Sequence, residues 1–183
     1  MNVGTAASRI RESTTGKQKR AHAGNQDTPF HCLLRVRSES GQTIEAHAAM
    51  IAKEGAAVLG KIGQGVGPAF RGALNAQIER GDKTFLFLTT REGWNGPYVT
   101  YRCRLKAIYE SLDGAKRALV PKYYAGDNNT IKTWFEISSI ERLSRDDMNR
   151  IYVLSSSRSI MSVIASSATV FRVGVHDKEN DPT

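Results

Sequence analysis

The sequence predicts an α+β domain, a small mixed or antiparallel β-barrel with short helices packed at its ends. Three observations predict it. The apolar runs are short and scattered among equally short helical patterns. In order they read strand, helix, loop, helix, strand, strand, long loop, strand, helix, strand, helix, strand, so hairpins outnumber βαβ units. One hairpin, Thr84 to Glu110, is legible enough for the rest to close around it.

That hairpin opens with Thr84 to Thr89. Phe85 and Phe87 share one face and Leu86 and Leu88 the other, as in a central strand buried on both sides. Thr90 to Pro97 holds two Gly and a Pro and reads as the loop, with Trp94 at its tip. Tyr98 to Glu110 then alternates. Val99, Tyr101, Cys103, Leu105 and Ala107 point inward, and Thr100, Arg102, Arg104 and Lys106 outward. The return strand is half-buried, and its wet face is cationic.

Upstream, Phe30 to Ser38 alternates as a first strand, with Cys32 and Leu34 on one face and His31, Arg35 and Arg37 on the other. Ser40-Gly41-Gln42 reads as a turn, and Ile44 to Lys53 as a short helix stopped by Gly55. Gly55 to Gly67 is read as a flexible, close-packed loop. Its Gly55, Gly60 and Lys61 match the start of a phosphate-binding P-loop, but Ile62 stands where the hydroxyl residue belongs. Pro68 opens a second helix whose Phe70, Leu74 and Ile78 recur every four residues, and Gly81 ends it.

Downstream, Ser111 to Thr130 is a long connection with a helical turn before Pro121 and a turn signal at Gly126 to Asn129. Ile131 to Ile140 is a strand with Trp134 on its polar phase. Ser144 caps a short helix running through Arg150. Ile151 to Leu154 is a strand, Ile160 to Ile164 a helical turn, and Val170 to Val175 the closing strand.

The chain of 183 residues carries a net charge of +8. Residues 1–27 are polar and basic and are expected to form a disordered arm; 176–183 are expected to be a disordered acidic tail. The domain between, 28–175, keeps most of the positive excess, which favours polyanions and nucleic acid first. No apolar run reaches membrane length and the N-terminus has no apolar core of a signal peptide, so no membrane association is expected. Cys32 and Cys103 read as buried free thiols of a reducing, cytoplasmic compartment.

Catalytic chemistry finds little support. The four histidines, His22, His31, His47 and His176, stand at no metal-ligand spacing. His31 and Cys32 point to opposite faces of one strand, and His47 could meet a cysteine only through tertiary structure. Asp113, Asp146 and Asp147 have turn or helix-start explanations. No catalytic, metal or cofactor site is therefore expected. The competing enzymatic reading is a small hydrolase or transferase holding a nucleotide over Lys61.

The run Ile78-Glu79-Arg80-Gly81-Asp82-Lys83-Thr84-Phe85-Leu86-Phe87-Leu88, with Tyr98 to Tyr109 after it, resembles the middle of PUA-like domains, in particular the EVE and YTH group. There, too, a helix leads through a Gly-Asp turn into a hydrophobic strand and its antiparallel return. The resemblance centres on residues 74–110. It implies a PUA-like pseudobarrel and a module that binds DNA or RNA, holding a modified or flipped-out base in an aromatic pocket beside a basic surface. The candidate base-pocket residues are Trp94, Tyr98, Tyr123, Tyr124 and Trp134, and the candidate phosphate contacts are Arg35, Arg37, Lys61, Arg71, Arg102, Arg104 and Lys106. The alternative is a non-enzymatic regulatory or inhibitor protein whose basic face meets an acidic protein partner.

Overall fold

The computed structural model describes residues 29–36, 41–92, 95–126, 130–165 and 170–176. The elements are β1 (His31–Arg35), α1 (Gly41–Glu54), β2 (Ala57–Ile62), α2 (Pro68–Glu79), β3 (Phe85–Arg91), β4 (Tyr98–Tyr109), α3 (Gly114–Arg117), a 3₁₀ turn (Lys122–Gly126), β5 (Ile131–Arg142), α4 (Arg145–Asn149), β6 (Ile151–Val153), β7 (Arg158–Ser159), α5 (Ile160–Val163) and β8 (Val170–Val175). The arm, the tail beyond His176, Arg37 and Trp94 lie outside the described residues.

The strands form one eight-stranded sheet in the order β2-β5-β4-β3-β1-β8-β6-β7. β1 and β3 are parallel, Cys32 facing Leu86 and Arg35 facing Thr89, and the other pairings are antiparallel. The α+β class is met and the sheet is mixed; among the described residues the ladder runs from β2 to β7 without joining them, so closure into the expected barrel is not shown.

Each element follows from its residues. The expected hairpin pairs from Phe85 with Arg104 to Arg91 with Tyr98, and Leu86, Phe87 and Leu88 are all buried, as a strand apolar on both faces requires. One core lies between the sheet and the first two helices, built from Cys32, Leu34, Leu59, Leu74, Leu86, Leu88, Cys103, Leu105, Phe135 and Ile137. The opposite face packs Leu33, Phe87 and Val173 against Leu143, Met148, Ile151, Val153 and Ile160. Gly55 and Gly81 end α1 and α2 with φ of 77° and 88°, a conformation that a side chain disfavours. Asp113 accepts the Lys116 N–H and Ser144 the Asp147 N–H, so both act as N-caps. Gln77 is buried, accepts the Phe30 N–H at 3.0 Å, and donates to the Phe30 carbonyl at 2.8 Å and to Thr84 Oγ1 at 2.7 Å. It ties the entry of β1 to the turn before β3.

Four expectations are corrected. The Gly55–Gly67 loop contains β2, whose Ala57, Val58 and Leu59 are buried and paired along β5. The first strand stops at Arg35, and Gly41, expected in a turn, begins α1. The inward phase of β4 slips at register shifts on either side of Leu105, so Ile108 and not Ala107 is buried. Trp134, on the polar phase of β5, is buried beside Val58, Leu112, Tyr124 and Ile131 in a third cluster, because Leu112, Leu119 and Val120 on either side of α3 and Tyr124 in the 3₁₀ turn cover that side.

Candidate nucleic-acid interface

The register between β3 and β4 creates a cationic and aromatic surface. Phe85 faces Arg104 and Phe87 faces Arg102. The guanidinium carbons of Arg102 and Arg104 lie 5.5 Å and 5.8 Å from the Phe85 ring centroid, within cation–π reach. Arg102 also pairs with Glu141 on β5 at 2.7 Å, a solvent-facing bond of small net worth.

Next to them on β1, the buried His31 ring meets Phe85 and Phe87 edge-on at 5.2 Å and 5.8 Å. Burial pushes its pKa down to about 4; a hydrogen bond at the Phe30 backbone opposes the shift and the Arg104 charge reinforces it. The imidazole is therefore neutral at pH 7, and its Nδ1 accepts the Phe85 N–H at 3.4 Å, so it contributes a flat ring and not a charge.

Leu143, Asp147, Arg150, Ile151 and Val175 form the far wall of a cleft of about 290 Å³ whose floor is His31, Phe85 and Phe87. Lys83, in the turn before β3, stands at its rim with Arg102. Among the lining residues, Lys83, Arg102 and Arg150 are opposed by Asp147 alone. Asp147 lies 3.8 Å from Arg150. This volume is at the lower end of the roughly 300–1,000 Å³ typical of small-ligand sites. An aromatic floor under a cationic rim suits a flat ring that carries an anionic group.

Of the residues expected from sequence, Arg102 lines this cleft and Arg104 adjoins it through Phe85. Lys106 is exposed beyond the first register shift. Arg71 pairs with Glu110 at 2.7 Å, and Arg35 reaches the Ile164 carbonyl at 3.5 Å. Lys61 donates to the Gln64 carbonyl, and burial lowers its pKa. It projects from an antiparallel strand, not from the strand-to-helix loop that a P-loop needs.

Tyr98 begins β4, with Arg91 stacked 4.7 Å over its ring. Tyr123, Tyr124 and Trp134 do converge. Ring centroids are 4.3 Å apart for the first pair and 5.8 Å for the second, and His47 packs on both tyrosines instead of meeting a cysteine. Yet Tyr124 and Trp134 are only 4% and 6% exposed, whereas Tyr123 is 44% exposed. The Tyr124 hydroxyl accepts the Gly60 N–H at 3.0 Å and donates to the Gly60 carbonyl at 3.2 Å, while the Leu119 carbonyl takes the Val58 N–H. Together they cover the outer edge of β2, the kind of open edge that invites pairing with another chain.

His31, Lys83, Phe85, Phe87 and Arg150 enter the cleft without having been singled out for it. Lys83 could have been found, since it stands in the Gly-Asp-Lys turn before the most legible strand. Arg150 could not, because its element packs here only through tertiary contacts.

No curated protein and no solved structure matches the chain. A family model described as Pua-like matches residues 32–166, from β1 to just past α5, and so includes the hairpin, the β4–β5 pair and the far wall of the cleft up to Ile151. With most of the chain matched, and with an eight-stranded mixed sheet flanked by short helices beneath the match, the chain belongs to the Pua-like family.

Proposed function

We propose that this protein is a nucleic-acid-binding module, and that it holds an unstacked or modified base over Phe85 and His31 while Lys83, Arg102 and Arg150 meet the flanking phosphates. The observation that carries the reading is the juxtaposition of an aromatic floor and a cationic rim in one cleft, on a chain of net charge +8. Family membership supports the polyanion class, since PUA-like domains are generally RNA-binding modules. The likeness of residues 74–110 to the EVE and YTH group supports a base-binding role. Binding rather than catalysis is supported by the cysteines. Both are fully buried and burial pushes their thiols far up, which disfavours a nucleophilic thiolate. Buried free thiols also suit a reducing cytoplasm. No helix among the described residues is long and apolar enough to cross a membrane.

The test is fluorescence polarisation against matched single- and double-stranded DNA and RNA, plain and base-modified, at two salt concentrations. Salt-sensitive binding with preference for one base modification is expected. Lys83→Ala and Arg102→Ala should each reduce the log–log salt slope by about 0.7–0.9. Binding indifferent to salt, or none at low salt, would sink the reading and leave an acidic protein as the partner to seek.

A further inference from the structure

The outward face of the β6–β8 wing carries a second feature. Strand alternation sets its residues. Arg172 faces Cys32 across the β1–β8 ladder and shares its side, and Gly174 faces Tyr152 across the β8–β6 ladder. Arg172, Gly174, His176 and Tyr152 therefore lie on the face opposite Val173, Ile151 and Val153, which are buried in the second core. Of the helices among the described residues, α2 reaches the margin of this face through Phe70. α1 lies on β2 and β5, α2 lies on β4, and α4 and α5 reach β6 from the other side through Met148 and Ile160.

What remains on this face is a row of rings and one guanidinium. Phe30 and Phe70 stack with centroids 5.9 Å apart, and the exposed Arg172 guanidinium lies 4.1 Å over Phe30 and 5.4 Å over Phe70. Two positions on, at Gly174, a Cβ would come within 2.5 Å of Tyr152 Cζ and Oη, so the Tyr152 ring fills the space that only glycine leaves open. The exposed His176 then stacks on Tyr152 at 4.3 Å and 26°. Leu154 stands at the margin, 40% exposed. Among the described residues Arg172 forms no ion pair. None of these patch residues is a carboxylate.

We propose that this face is a stacking platform for single-stranded nucleic acid, reached around the end of β8 by a strand whose base sits in the cleft. The proposal rests on the nucleic-acid reading above. Rings gathered at this face from the entry of β1, from α2, from β6 and from the end of β8, with a guanidinium that forms no ion pair among the described residues, match what a single strand offers, π-faces and phosphates in alternation. A duplex keeps its bases stacked inside and cannot use the rings. The cleft and the platform lie on opposite faces of the sheet and meet at the end of β8, where Val175 lines the cleft and His176, the residue after the strand, belongs to the platform. Arg150 lines the cleft and donates to the His176 carbonyl, while the His176 N–H donates to the Arg150 carbonyl at 3.0 Å.

The experiment measures anisotropy with a mononucleotide, with single strands of increasing length, and with the matching duplexes. It compares the native chain with His176→Ala, Arg172→Gln and the cleft variant Lys83→Ala/Arg102→Ala. His176 and Arg172 are exposed, so their variants should fold. The platform variants should bind the mononucleotide as the native chain does and lose affinity for longer strands, roughly five- to 150-fold for one lost base stack. The cleft variant should weaken at every length. His176 ring resonances should shift on adding the longer strand and stay fixed with the mononucleotide. Platform variants that follow the native chain at every length, or duplexes that bind as tightly as single strands, would overturn the platform and leave the cleft standing. A native chain that binds no nucleic acid would overturn both.

Discussion

Tyr124→Phe separates two roles for a residue that the sequence presents as a base-pocket wall. The structure ties its hydroxyl to both backbone groups of Gly60, at 3.0 Å and 3.2 Å, on the outer edge of β2. Phenylalanine keeps the ring and its packing on Trp134 and His47, and removes only the oxygen. It then sits over an N–H and a C=O that water reaches poorly. A buried polar group left without a partner costs about 1–3 kcal/mol. Gly60 is half-buried, so the lower part of that range applies to each group, giving a loss of about 2 kcal/mol in all. For a chain of this size that lowers Tm by about 4–8 °C. Urea unfolding followed by circular dichroism reads it as a lower midpoint at unchanged slope. The opened edge should also raise concentration-dependent aggregation. A loss below about 0.5 kcal/mol, the usual scatter of a surface substitution, would refute the edge-cover argument. Unchanged stability with weakened base binding would return Tyr124 to the pocket-wall role.

Two further outcomes follow from buried polar groups. Burial holds His31 at a pKa of about 4 in the fold, against roughly 6.5 in the unfolded chain, so the unfolded state binds more protons between these values. Stability is complete above about pH 6.5 and declines as pH falls towards 4, by up to about 3 kcal/mol from this group. Chemical denaturation across that window checks it, and His31→Gln should flatten the profile. A native profile level through the window would show His31 to be accessible to protons. Gln77→Ala removes three hydrogen bonds at once and should destabilise by at least about 2 kcal/mol. An equally stable variant in urea unfolding would show that Phe30 and Thr84 find other partners.

Some of the fold was legible because its signal is local. Leu86 to Leu88 could only be a buried strand, and Gly81 could only end the helix before it. Asp113 and Ser144 declared their caps by residue type and position. β2 was not legible. Its Gly55-Ala56-Ala57-Val58-Leu59-Gly60-Lys61 run looks like a loop by composition, and it is a strand because β5 pairs along it. Trp134 was likewise read against its phase, since what covers it is a segment that precedes it in the chain.

The candidate site divides in the same way. The chain's own composition determined that a basic domain would present Arg102 and Arg104 on one face of a central return strand, because charge and period-two alternation are written residue by residue. Only the tertiary structure decided which rings meet those guanidiniums. It set Phe85 and Phe87 opposite them by register, brought His31 in by a parallel pairing, and added Arg150 and Val175 from the distal wing. It also took Tyr124 and Trp134 into a packed cluster that covers an edge. Register and layer contacts join residues far apart in sequence, and no local pattern records which strand a given strand will choose as its neighbour.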